Sequence, residues 1–222
     1  MRRTLGPLLV GLIFAALTGL MVFTAAGRID FPIVWACLIV QAISMSAIAL
    51  TLPPDLVKER LHPGAEGRVH DHHRAFVTPL IFASWILAGL DLGRFHWSDT
   101  IPNSLRIAGI VGYALAMILT YWAMHTNRFY SSVIRLQRDR GHEPITTGPY
   151  ALIRHPGYAA TIFAVLCGGL AIGSWIALVP VVGVVLLFLR RTMSEDAMLR
   201  RDLEGYADYA TRVRARLMPG VW

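Results

Sequence analysis

Two stretches of this sequence concentrate side chains able to do chemistry. His142-Glu143-Pro144-Ile145-Thr146-Thr147-Gly148-Pro149-Tyr150 is followed three residues later by Arg154-His155-Pro156-Gly157-Tyr158. Further on stands Arg190-Arg191-Thr192-Met193-Ser194-Glu195-Asp196, where Arg191 and Glu195 are four apart and share a helix face. Adjacent acids at 195 and 196, in a chain with only 14 Asp and Glu, can receive a cationic ligand. Arg and His donors can hold a carboxylate, tyrosine faces attract a cation, and His142 or His155 can take a proton. The same residues equally describe an ordinary juxtamembrane loop, with snorkelling arginines, interfacial tyrosines and a surface ion pair.

The elements that must position these residues are apolar. The chain has 222 residues, 55% hydrophobic and 16% charged, against about 25% charged in soluble domains. Uncharged windows run 4–27, 31–54, 75–90, 107–127 and 155–189. About 20 apolar residues span a bilayer. The 75–90 window is short, which puts Asp91 near the interface. The last window is too long for one pass, and Gly168-Gly169 and Gly173-Ser174 interrupt it, so it reads as a helical hairpin turning near Gly173 with Pro156 opening its first arm. The expected fold is an all-α polytopic bundle of about six transmembrane helices. Its last helix continues past Arg190 to about Leu203 as an interfacial amphipathic tail carrying Met193, Ala197, Leu199 and Leu203. The organisation is read as four N-terminal helices over 1–124, with a loop near 53–75, and a functional region over 125–222.

Net charge is +7, and Arg supplies 20 of the 21 basic residues. With six spans, 18 of those 21 fall on one side, and the excess of positive charge puts both termini in the cytoplasm. Charge set between apolar runs points to membrane lipid headgroups rather than nucleic acid. The arginine bias suggests a GC-rich bacterial genome and hence an inner membrane. Met1-Arg2-Arg3 and the long apolar run after it read as an uncleaved first helix. Cys37 and Cys167 lie in apolar runs and read as packing residues. His70-Asp71-His72-His73 lacks a partner set with zinc spacing and reads as a solvated loop, so no metal is expected. His125, at the end of the fourth span, is a further candidate for the pocket.

From Asn127 onward the chain resembles the isoprenylcysteine carboxyl methyltransferase family, which shares features with phospholipid N-methyltransferases. The resemblance rests on His142-x-x-Ile145-Thr146-x-Gly148-Pro149-Tyr150, Arg154-His155-Pro156-x-Tyr158, Arg191-x-x-x-Glu195-Asp196, Tyr206-x-x-Tyr209, Val213 and Pro219. It departs from the family pattern in Asp196 for Glu, in Pro144 for an aliphatic residue, and around Leu203–Gly205. The resemblance implies an S-adenosylmethionine pocket open to the cytoplasm, with a lateral opening for a lipid-like acceptor. It implies cofactor contacts at His142, Ile145, Thr146, Gly148, Tyr150, Arg154, His155, Pro156, Gly157, Tyr158 and Glu195. Arg191 and Glu195 would serve the reaction, with Arg191 linked to the substrate carboxylate.

Three functions are therefore in view. The first is methyl transfer to a lipophilic or membrane-associated acceptor, whether a carboxylate as in isoprenylcysteine methylation, a phospholipid amine or a small thiol. The second is an NADPH-dependent reductase of the membrane sterol type, whose cofactor phosphate would want basic groups where this chain has Glu195 and Asp196. A transporter or scaffold ranks last, because polarity gathers at one face instead of mid-membrane.

Overall fold

The computed structural model describes residues 2–63 and 73–222, with side chains from Gly6 onward except Pro7. The described residues are helices and irregular segments. They form α1 (Arg2–Ala26), α2 (Pro32–Thr51), α3 (Pro54–Leu61), α4 (His73–Leu90), α5 (Asn103–Thr126), α6 (Pro156–Ile172), α7 (Leu178–Asp202) and α8 (Tyr206–Arg212). Four stretches, Leu8–Ala26, Pro32–Thr51, His73–Phe95 and Asn103–Thr126, are long and apolar enough to cross a membrane. The chain is an integral membrane helical bundle, as its composition predicts.

The 155–189 window does break into two arms. α6 has 17 residues, about 26 Å at ~1.5 Å per residue, a little under the ~30 Å hydrocarbon thickness. Gly173 ends it at φ +86°, and the amides of Gly173 and Ser174 both return to the Gly169 carbonyl. A left-handed terminal residue of this kind favours glycine. The turn is fixed from the third span. Asp91 is buried, its Oδ1 accepts the Ser98 amide at 3.0 Å, and its Oδ2 accepts the hydroxyls of Ser98 and Ser174. Asp91, near the end of the third span, thus binds the hairpin turn to the end of α4.

Small residues let the helices approach closely. A Cβ on Gly109 would lie 2.5 Å from the Ala171 amide nitrogen, and one on Gly112 would lie 2.6 Å from the Cys167 sulfur. These two positions seat α5 against α6, so the loop leaving α5 starts beside the segment that enters α6.

α7 carries its apolar half into a charged half without a break and ends at Leu203, as expected. Its apolar residues there divide between two faces. Met193 and Ala197 are exposed, whereas Leu199 and Leu203 are buried with Tyr206, Tyr209 and Ala210 of α8. The tail is therefore folded back on α7. Of the His70–His73 run, only His73 lies within the described residues, as the first residue of α4.

Candidate functional site

Between the α5–α6 loop, the start of α6 and the charged half of α7 lies a cavity with an open mouth. Its walls include His142, Ile145, Tyr150, Arg154, His155, Gly157, Tyr158 and Glu195, all singled out in the sequence. The two motif clusters, about 40 residues apart in the chain, thus share one hollow.

The loop owes its shape to a few side chains. Asn127 ends α5, and its Oδ1 accepts the Phe129 amide at 2.8 Å while its Nδ2 donates to the Tyr150 hydroxyl at 3.1 Å. Gln137 is buried and donates from Nε2 to the Phe129 carbonyl at 2.7 Å. The Gln137 amide in turn donates to His142 Nδ1 at 3.3 Å, which leaves Nε2 to carry the proton of a neutral ring. The His142 ring lies 4.5 Å from that of Phe129. Burial lowers the His142 pKa, against an opposing pull from Glu195, so His142 is neutral at neutral pH. Burial likewise pushes the Tyr150 hydroxyl well above its ordinary range, and that hydroxyl remains protonated.

At the far wall, the Tyr158 hydroxyl donates to Glu195 and accepts from Arg191 Nε at 2.8 Å. Arg191 also donates from Nη2 to the Ser132 carbonyl at 3.0 Å and lies over the Tyr158 ring at 5.6 Å. The Arg191–Glu195 relation expected from their spacing is therefore made through a tyrosine. Arg191 is buried behind Tyr158 and is absent from the cavity wall.

Asp196 faces the other way. Its side chain and that of Arg154 are 2% and 1% exposed. Arg154 Nε and Nη2 hold the two carboxylate oxygens at 2.7 and 3.0 Å, while Nη1 donates to the carbonyls of Val213 and Arg214 at 2.7 Å. Tyr206 donates to Asp196 at 3.0 Å, His155 Nε2 lies 3.4 Å away, and Arg200 and Arg216 each approach at 3.1 Å. Burial alone would raise the Asp196 carboxyl, but its bonds to His155 and Arg154 hold it well below the usual carboxylate range. All three Arg154 guanidinium nitrogens are engaged in this cluster, so although Arg154 touches the cavity, its charge is spent on Asp196 and the tail.

Three other candidates stand off the cavity wall. Thr146 is exposed. Gly148 makes the loop turn at φ +56°, where a Cβ would press on Thr126 and Trp122. Pro156 is buried as the first residue of α6. His125 also lies elsewhere, hydrogen-bonded to Thr51 at 2.8 Å and stacked on Tyr121. Cavity residues not singled out are Phe129, Tyr130, Ser131, Val133 and Arg135, which carry no recognisable spacing. The Tyr206–Tyr209 pair, quoted as a motif, also lines the wall, and the Tyr209 hydroxyl donates to the Tyr150 carbonyl at 2.7 Å.

The hollow thus offers two acids, Glu195 bonded to Tyr158 and Glu143 paired with Arg128, a neutral imidazole, and several aromatic faces. That set suits a ligand that is cationic at one end and flat and aromatic at the other. Among the described residues, no three His, Cys, Asp or Glu side chains group as a metal site.

Comparison with known proteins points to the same segment. Residues 108–201 match the isoprenylcysteine carboxyl methyltransferase (ICMT) family. Over 137 residues the chain is 26% identical to the nickel-cobalt-cadmium resistance protein NccN of Alcaligenes xylosoxydans xylosoxydans, covering 61% of this chain and 60% of that one. Over 160 residues it is 25% identical to the cobalt-zinc-cadmium resistance protein CzcN of Cupriavidus metallidurans, covering 69% of each.

Proposed function

We propose that the protein, whose residues 108–201 match the isoprenylcysteine carboxyl methyltransferase family, is a membrane methyltransferase that uses S-adenosylmethionine and modifies a lipophilic or membrane-associated acceptor. The observation that carries this reading is Glu195 on the cavity wall, bonded to Tyr158 and set among Tyr150, Phe129 and His142. When bound, the cofactor supplies a methyl group on a sulfonium, already electrophilic, so the protein need only align and desolvate. Its ammonium and sulfonium suit Glu195 and the tyrosine faces, and its adenine suits the Phe129–His142 wall.

This chain's own residues do the rest. Arg191 holds the Tyr158 hydroxyl from behind, and Tyr158 fixes the Glu195 carboxylate at the wall. Arg154 ties the α6 entrance to Asp196, so the His155–Tyr158 turn keeps its place while the cavity fills. A carboxylate acceptor needs no base; an amine or thiol acceptor arrives deprotonated, because His142 Nδ1 accepts the Gln137 amide and Nε2 carries the ring proton. Acceptors enter from the bilayer, in keeping with a helical bundle that crosses the membrane, and the excess of basic residues on one side supports a cavity that faces the cytoplasm with both termini. The two relatives are named for metal resistance, and we extend that to this chain only as a setting in which a membrane component is methylated.

Calorimetric titration of the protein in nanodiscs with S-adenosylmethionine, and separately with NADPH, tests this reading. Saturable binding of the first, lost in Glu195→Gln, is expected. Binding of NADPH alone would replace the methyltransferase with a reductase.

A further inference from the structure

α3 lies outside the 108–201 segment, yet it meets five residues of the cavity's loop. Glu59 is buried and takes Arg135 with both oxygens, at 2.9 Å from Nε and 2.7 Å from Nη2. The Ser131 hydroxyl donates to the same carboxylate at 2.9 Å. The Ser132 hydroxyl donates to the Arg60 carbonyl at 3.1 Å, and the Arg60 guanidinium lies 5.3 Å from the Tyr130 ring centre. Asp55 pairs with Arg140. Tyr130, Ser131 and Arg135 are cavity walls, and the Ser132 carbonyl is the second anchor of Arg191.

We infer that Glu59 is a positioning residue for the cofactor cavity, acting through Arg135 and Ser131 to hold the 129–145 loop closed. This inference rests on the methyltransferase reading for its ligand, and on geometry alone for the clamp. A two-point arginine–carboxylate pair fixes direction as well as distance. The side chains of Glu59 and Arg135 are each 6% exposed, and removing one partner of a buried pair leaves the other uncompensated. Burial would raise the Glu59 carboxyl, but Arg135 and Ser131 outweigh it and keep it ionised. Asp139, which also pairs with Arg135, belongs to the same loop and is exposed, so it cannot tie that loop to α3. With the Glu59 tie cut, the loop spends part of its time open, and apparent affinity falls by the fraction of molecules left competent.

The test uses full-length protein in nanodiscs, with S-adenosylmethionine as the probe and amide hydrogen exchange as a readout independent of any ligand. Glu59→Gln and Arg135→Lys are each expected to weaken binding about tenfold, with the double variant no worse than either single one. Residues 131–145 should lose exchange protection while α5 and α6 keep theirs. Asp139→Asn should stay within about twofold of wild type. In the transfer reaction the Glu59→Gln effect should fall on KM, with kcat nearly unchanged. Wild-type binding together with unchanged loop protection in Glu59→Gln overturns the inference. Should Glu59→Gln fail to fold, Arg135→Lys decides the same question, since it keeps the charge and loses the fork. Should wild type bind no S-adenosylmethionine, the methyltransferase reading falls, and the exchange of residues 131–145 still decides the clamp.

Discussion

Glu195 and Asp196 are neighbours in sequence and have opposite surroundings: Glu195 meets Tyr158 at the cavity wall, whereas Asp196 is buried behind it against Arg154, His155, Tyr206, Arg200 and Arg216. One helical step turns a side chain by about 100°, enough to give one carboxylate to a ligand and the other to the fold. Glu195→Gln should therefore abolish cofactor binding with little change in the melting temperature. Asp196→Ala should leave Arg154 buried without its partner and cost about 3–5 kcal/mol. Thermal melts of both variants in detergent check this pair of outcomes.

Acid should act through Asp196. Its folded carboxyl is held below the usual range, so the unfolded chain binds the proton more readily. The stabilisation is complete above the unfolded carboxyl's pKa of about 4 and is lost as pH falls below it. Melting temperature against pH should drop in that window for wild type, and Asp196→Asn should flatten the drop.

Gly157 leaves room for Tyr130. A Cβ there would lie 2.3 Å from the Tyr130 hydroxyl and 2.5 Å from its ring. Gly157→Ala should push Tyr130 into the cavity, with an overpacking cost of about 1–3 kcal/mol and a clear loss of cofactor affinity. Adding Tyr130→Leu should restore part of that affinity in the same titration.

The Tyr158 hydroxyl links Arg191 to Glu195. Tyr158→Phe removes that link and takes a hydrogen-bond acceptor from a buried guanidinium, a cost of about 1–3 kcal/mol. A kcat/KM for methyl transfer lowered by about tenfold or more is expected. Arg191→Lys should behave alike, because an ammonium cannot reach both Tyr158 and the Ser132 carbonyl in the fixed geometry of the guanidinium.

Much of this was legible in the sequence where signals are local. A 35-residue apolar window with Gly173 inside it forces a turn, and Pro156 marks the start of α6 because proline suits a first helical position. Long-range pairing was not legible. Glu59 and Arg135 are 76 residues apart, and nothing in either neighbourhood names the other. Arg154 read as a ligand donor because only the fold shows that Asp196 and the 213–214 carbonyls use all three of its nitrogens. The apolar positions of the tail read as one lipid-facing stripe, because the return of α8 over Leu199 and Leu203 is a tertiary event.

If Glu195 presents a cationic methyl donor to an acceptor from the membrane, its loss must show in the transfer itself. The decisive measurement is label transfer from methyl-labelled S-adenosylmethionine to lipids and proteins of native membrane extract, with wild type and Glu195→Gln side by side. Wild type should yield a labelled product, and the variant should yield about 100-fold less or lower still, as expected when a charged hydrogen-bond partner in a desolvated site is removed. Equal labelling by both, or no labelled product from a wild type that is folded and binds the cofactor, would show that Glu195 does not hold this role.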